Sequence, residues 1–433
     1  MNYIKSIELN QSESESFLML PTVLNGFKNT ITHVIKTIKE QSAYIFEGTL
    51  ESQENEKLCS NCNYVMHINN HFKVNLRHLC IGETISFVSF EKKQYYCPKC
   101  HNSKMQNIPF KAKKHQITNE LYNYTRDLLA YGFTNKEVSY ITGLGKNVIK
   151  EIDLERLKEK YTIDGKSFIK PEIQAKYLGI DEFKLHNGHI YATVIIDLET
   201  GYILWLERGK DKNIVYNFIR HVGLEWMKKV KAVSCDMNAN FQEAFQSMCP
   251  HIEIVYDHFH IIKNFNDNVI SKIRTDEEKR LISEGKKEEA KIFKKTRFIL
   301  FSSRETLKEK DNLKGSNYEE KYNKLIQANE LILFADIIKE KLNIAYTRTN
   351  EKEMLMDLVE IYGLCISSKN KRFEWFGKLI YKHYKSIITY AKYHISTGKV
   401  EGINNKIKTL RRQAYGYPDD QYFFLKLFDM SRN

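Results

Sequence analysis

Two sets of residues in this chain have the types and spacing that chemistry asks for. The first is "CSNC" at Cys59–Cys62, answered by "CPKC" at Cys97–Cys100. Two Cys-x-x-Cys turns together offer one ion four thiolates in a tetrahedron, the ligand set of a structural Zn²⁺ site. The second set is acidic. The apolar run "YLGI" leads into Asp181 and Glu182, "KAVSC" into Asp236, and "HIEIVY" into Asp257. A carboxylate buried without a partner is costly, so acids at the ends of apolar strands are solvated, paired or holding a cation.

The thiols and acids need elements to position them. Between the two cysteine turns, VMHINNHFKVNLRHL and ETISFVSFEKKQYY alternate apolar and polar residues and read as strands, predicting a zinc ribbon over 58–112 with an unusually long interval of 34 residues. His101 is a substitute fourth ligand by position, and CPKCH also matches a haem-attachment string, which the absence of a secretion signal disfavours. Cys80, Cys235, Cys249 and Cys365 stand alone and are read as packing residues. Residues 1–57 form an N-terminal extension: SESES (Ser12–Ser16) is polar, and GFKNTITHVIKTIKE has a weak helical rhythm.

Sixty-seven Lys and Arg against 54 Asp and Glu leave a formal charge of +13. That excess points to a polyanionic partner, nucleic acid first, with a merely solvated basic surface as the alternative. No apolar run is long enough for a membrane span, so a cytoplasmic, nucleoid-associated protein with no membrane partner is expected. Residues 113–165 supply a unit suited to double-stranded DNA. Thr134 and Glu137 make a capping box, Gly143-Leu-Gly145 breaks the helix, and a second helix starts at Lys146. Helix, turn and helix also describe an ordinary helical hairpin. As a DNA-binding helix-turn-helix, the unit would place Lys146, Asn147 and Lys150 at the major groove.

From Lys176 a meander of three strands is predicted, over Lys176–Ile180, His189–Ile196 and Tyr202–Glu207, with turns at Asn187-Gly188 and Glu199-Thr200-Gly201. A helical stretch (213–230), the strand ending at Asp236, a helix (238–248) and the strand ending at Asp257 follow. This order describes an α/β, ribonuclease-H-like mixed sheet, in which the first and fourth strands are neighbours, bringing Asp181 beside Asp236. Asp257 is either a metal ligand or the cap of a helix from His258. The more than 140 residues before Glu401 exceed any loop and read as a helical insertion (271–390) between the first part of the domain (172–270) and its C-terminal part (391–433). Within it, Lys294, Lys295, Arg297 and Arg304 are phosphate contacts or solvated residues, and Trp375 is assigned to the core. In the last helix Ile403, Ile407, Leu410 and Ala414 form the apolar stripe, with Glu401, Asn405, Lys408 and Arg412 opposite.

GIDEF (Gly179–Phe183), SCDM (Ser234–Met237), DHFHIIKN (Asp257–Asn264) and above all EGINNKIKTLRRQAYGY (Glu401–Tyr417) resemble, in order, the strings of the ISL-three family of DDE insertion-sequence transposases. Members join a zinc ribbon and helix-turn-helix to a ribonuclease-H-like catalytic domain. The resemblance implies that Asp181, Asp236 and Glu401 are the catalytic triad and bind Mg²⁺ or Mn²⁺. Such acids suit hard divalent ions that assist in-line displacement at phosphorus. It also implies DNA partners, the element's terminal inverted repeats and the target, and a homo-oligomer assembled on them. Lys406, Lys408, Arg411 and Arg412 follow the acid on its helix as DNA contacts. His258 and His260, with Asp257, are secondary site candidates, and Glu182 a supporting or solvated residue. A nuclease of the same fold and a transposase-derived regulator without catalysis are the alternatives.

Overall fold

The structure is a computed structural model that describes residues 23–36, 42–51, 54–237, 239–414 and 416–432. The described residues divide into two compact units, one ending at Phe168 and the other Ile169–Arg432. Ser12–Ser16 lies outside the described residues.

The first unit is built on a five-stranded sheet. Strands β1 (Phe27–Lys36), β2 (Ser42–Leu50), β3 (His67–Ile81) and β4 (Thr84–Tyr96) are ordered β1-β2-β4-β3, and the short β5 (Ser103–Met105) pairs with β4. The helical rhythm read at 26–40 is therefore corrected: Phe27–Lys36 is a strand, in antiparallel register with β2. Its Ile31, Val34 and Ile35 are β-branched, and sheet pairing outweighs a weak periodicity. The segment set apart as an extension thus contributes strands to the sheet of the ribbon. The long β3–β4 hairpin accounts for the 34-residue interval between the cysteine turns.

Helices α1 (Asn119–Ala130), α2 (Asn135–Thr142) and α3 (Lys146–Tyr161) follow, packed around Leu121, Leu129, Val138, Ile149 and Ile152, and a short hairpin of β6 (Thr162–Ile163) and β7 (Ser167–Phe168) ends the unit. The capping box at Thr134 and Glu137 forms as read, and Gly143 ends α2 at φ 67°, a backbone state that costs glycine little.

The second unit holds a sheet of β8 (Tyr177–His186), β9 (Ile190–Asp197), β10 (Ile203–Arg208), β11 (Ala232–Cys235) and β12 (Glu253–Tyr256), ordered β10-β9-β8-β11-β12. The first three run antiparallel, while β11 lies parallel to both β8 and β12. Helices α4 (Lys212–Val222), α5 (Leu224–Met227) and α6 (Ala239–Met248) form the crossovers. All four residues of β11 are buried, as expected of a central parallel strand covered on both faces.

Beyond α7 (His258–Phe265) and a π-helical turn at Asn266–Ile270, the chain runs through eight helices, α8 (Ser271–Ser283) to α15 (Lys371–Tyr393), before α16 (Gly398–Gln413) and α17 (Asp420–Met430). The sheet and these helices share one core, in which Ile180, Val233, Cys235 and Tyr256 meet Phe265, Phe373, Phe376 and Ile380. Cys235, Cys249 and Cys365 are buried in it as packing residues. Trp375, assigned to the core by sequence, is instead 42% exposed. Helix α15 turns Phe373 and Phe376 inward, which leaves residue 375 on the outer face.

Candidate functional site

The thiol cluster is assembled locally. In both cysteine turns the first Cys pairs its amide with a carbonyl five residues on, and its carbonyl accepts from the amide four residues on (Asn63 and His101). Asn63 and His101 hold equivalent left-handed positions, φ 54° and 59°. His101 is thus a turn residue whose ring bonds the Tyr96 hydroxyl, and the four atoms that could hold an ion are the sulfurs of Cys59, Cys62, Cys97 and Cys100. These sulfurs all lie within 4.8 Å of one another, with Cys59–Cys100 at 3.4 Å and Cys62–Cys97 at 3.6 Å. A tetrahedron with Zn–S bonds of about 2.3 Å has edges of about 3.8 Å, so the donor set fits. The Asn61 amide, with help from neighbouring donors, holds the Cys59 thiol down to about 6, despite burial.

The ribbon hairpin carries the helical unit. Arg77 on β3, 8% exposed, donates to the Ser86 carbonyl and to the Thr142 carbonyl at the end of α2. A Cβ on Gly143 would stand 2.6 Å from that guanidinium. Beyond this turn Lys146 and Asn147 are exposed at the start of α3, and Lys150 is half-buried.

The acidic site depends on register. Ala232 pairs with Tyr177 and Ser234 with Gly179, so Asp236, just past the end of β11, comes level with Asp181. Asp181 is not at a strand end, as the sequence had it. Strand β8 continues to His186 along β9, and Asp181 stands where its pairing with β11 stops. That opening leaves a carboxylate in a half-buried position beside Asp236. Burial raises the Asp181 carboxyl above its ordinary 3.8, with the charge of Asp236 adding to the effect, while the Glu182 amide, His260 and Asn404 partly offset it.

Helix α16 lies along this same strand. Val400 fills the space over Gly179, where a Cβ would come within 2.5 Å of it. Asn404 donates to Asp181 Oδ2 at 2.7 Å, and the Arg411 guanidinium donates to the Lys184 carbonyl. From 400 to 411 a helix rises about 16 Å, the span of the five residue steps from 179 to 184 along a strand. At the helix start, Thr397 donates to Asp257, which is 2% exposed. Asp257 makes no side-chain cap to α7. Asp257 stands at the N-cap position of α7, its carbonyl accepting from the Ile261 amide, while its carboxylate is engaged by Thr397, 140 residues away in sequence.

Glu401 stands one turn before Asn404 and is exposed. Asp181, Asp236 and Glu401 are not drawn as closely together as the sulfurs: the cysteine cluster alone, among the described residues, gathers three or more such ligand atoms within 4.8 Å. The acids offer oxygen only, the donor type hard divalent ions take.

Glu182, Asp236, Lys210, Asn240, His260 and Asn264 line a cavity of about 460 Å³. Of the two histidines His260 borders this cavity, whereas His258 packs against the Tyr346 ring at 4.3 Å. Lys406, Lys408 and Arg412 are exposed, but Arg411 is half-buried against β8. Ala414, expected in the apolar stripe, is exposed past the helix end, and the buried positions are Val400, Ile403, Asn404 and Ile407. Arg297 and Arg304 are paired with Asp267 and Asp336. Sequence reading missed Asn404, Thr397, Gly179 and Lys210. Asn404 alone left a signal, as a polar residue within the apolar stripe of α16.

The sheet order, with a helix clamped along its central strand, defines a ribonuclease-H-like domain. A family model described as Transposase, of the DDE and ISL-three type, matches residues 178–427, more than half the chain. The chain belongs to the ISL-three family of DDE transposases. It is similar to the transposase for insertion sequence element IS1001 of Bordetella parapertussis, with 27% identity over 81% of this chain and 83% of that one. It is also similar to the transposase for insertion sequence element IS1557 of Mycobacterium tuberculosis, with 24% identity over 56% of this chain and 57% of the relative. Among the described residues no helix is long and apolar enough to cross a membrane.

Proposed function

We propose that this protein is the transposase of an insertion sequence, cutting DNA at the element's ends and joining the freed strands to a target. Asp181, Asp236 and Glu401 are its catalytic acids and would hold divalent ions, Mg²⁺ or Mn²⁺. Paired ions lower the barrier to in-line displacement by favouring a nucleophilic oxygen and stabilising the leaving one. The chain's own part is to place acids. β8 and β11 present Asp181 and Asp236 at one level, Asn404 keeps Oδ2 of Asp181 oriented, and the contacts along α16 hold the backbone of Glu401 against the same strand. The observation that carries this reading is the parallel register that brings Asp236 level with Asp181 inside the span matched by the family.

The four cysteines would hold a structural Zn²⁺, and the unit they stabilise would bind the terminal inverted repeats, with Lys146, Asn147 and Lys150 on α3 toward the DNA. Lys406, Lys408 and Arg412 would meet phosphates near the acids, while Arg411 serves first to dock the helix. Two ends must be processed together, so a homo-oligomer on DNA follows.

The test is strand cleavage and joining on DNA carrying the element's native flanks with Mg²⁺, comparing wild type with Glu401→Gln, which keeps shape and removes the ligand charge. Joined products from wild type alone are expected. Binding without cutting by both proteins would instead favour a DNA-binding regulator.

A further inference from the structure

A cavity that served metal ions alone would need only acids, yet this one has donors as well. Glu182 on β8 and Asp236 after β11 share it with Lys210, from the β10–α4 turn, and His260, from α7. The cations flanking Lys210 are neutralised within the protein: Arg208 pairs with Asp420 at 3.1 Å and Lys212 with Glu243 at 3.0 Å. Lys210 has no ion pair among the described residues; its ammonium sits 4.8 Å from the centre of the Tyr191 ring, which orients the charge without cancelling it. His260 too has no ion pair among the described residues, its ring packing edge-on against Phe259 at 5.8 Å. Asn264, by contrast, already bonds the His260 carbonyl.

Two donors outside any ion pair, His260 also facing the charge of Asp181, stand beside Asp236 and fit a group that is itself an anion and would lie against a cation held by Asp236. A phosphodiester has that character: one non-bridging oxygen can face the metal side and the other an ammonium or imidazole N–H. We propose that Lys210 and His260 grip the scissile phosphate of the DNA, which makes them substrate-contacting residues in addition to the three acids. This rests on the transposase reading for the identity of the diester.

The experiment uses the full-length protein and end DNA whose phosphate at the element boundary is either natural or a methylphosphonate, which has lost its charge. Affinity is measured with Ca²⁺ in place of Mg²⁺, and single-turnover cleavage with Mg²⁺. Wild type is expected to bind the natural end about tenfold more tightly than the methylphosphonate. Lys210→Met and His260→Gln should bind both ends alike and cut the natural one about 100-fold more slowly, the usual scale for losing one donor to a developing charge. Their affinity for DNA that stops short of the boundary should equal that of wild type, as should their melting temperatures. Lys210→Arg should restore discrimination. The proposal is overturned if both variants discriminate like wild type, or if their losses add in full to that of the methylphosphonate. Should wild type discriminate in Ca²⁺ and the two variants not, while nothing is cut in Mg²⁺, the phosphate grip stands and the transposase reading falls.

Discussion

The thiol cluster and the proposed acidic site would solve the same problem, gathering ligands, by opposite means. Each cysteine turn supplies two ligands three residues apart, and one hairpin brings the turns together, so all four sulfurs lie within 4.8 Å. The three acids come from a sheet strand, the end of its neighbour and a helix 220 residues further on. Asp181 is held by the Asn404 amide beside it. One thiolate among sulfurs that keep their protons tolerates such crowding, whereas carboxylates repel at short range and resist burial until a counter-charge arrives. A site of carboxylates therefore depends more on its supporting contacts than a site of thiols does.

That contrast can be broken at several points. The largest effect is expected from Cys97→Ser. With one thiolate removed from a structural site, zinc content should fall, and binding to element ends should drop by more than about 100-fold, because metal binding and folding are coupled in small ribbons. The melting of Ile169–Arg432 should not move. A single transition shifting as a whole in calorimetry would show that the two units are not independent.

Asn404→Ala removes the bond to Asp181 and leaves the acids untouched. Mn²⁺ affinity, measured by titration calorimetry, should fall ~10- to 100-fold, as is common when a group orienting a ligand is lost. An unchanged affinity would mean that Asp181 needs no such support. Gly179→Ala probes the approach of α16, since its Cβ would meet Val400 within 2.5 Å. A loss of about 1–3 kcal/mol in denaturant unfolding is expected from overpacking.

The smallest effect is a gain. The Asp181 carboxyl is raised above 3.8, chiefly by burial. The folded protein therefore keeps that proton longer than the unfolded chain does. The stability this contributes is complete below the ordinary value and is lost as pH rises through the raised one. In metal-free protein at neutral pH, Asp181→Asn should raise the melting temperature by a few degrees, the scale of about 1 kcal/mol. The new amide can donate to Asn404 Oδ1, a buried acceptor without a partner here. No gain, or a loss, would show that the charge is not under strain.

Much of this was legible in the chain. The cysteine turns, the capping box at Thr134, the order of strands and the acids that follow them are written in short-range patterns. The errors have a common origin. Phe27–Lys36 was misread because a strand that finds partners overrides a faint helical period, and Trp375 because an aromatic residue does not announce which face of its helix is covered. For Asp257, open in the sequence between metal ligand and helix cap, the side-chain partner is Thr397, 140 residues away.

The sequence by itself determined which residue types are spaced to serve a metal, where most strands alternate and where helices such as α2 begin, since these follow from neighbours a few positions apart. Only the tertiary structure decided that Asn404 is buried against Asp181, that Arg411 docks on Lys184, and that His260 and not His258 borders the cavity. A hydrogen bond spanning 223 residues, like that from Asn404 to Asp181, is set by how a helix lies on a strand. That placement follows from the packing of the whole core, which no local pattern encodes.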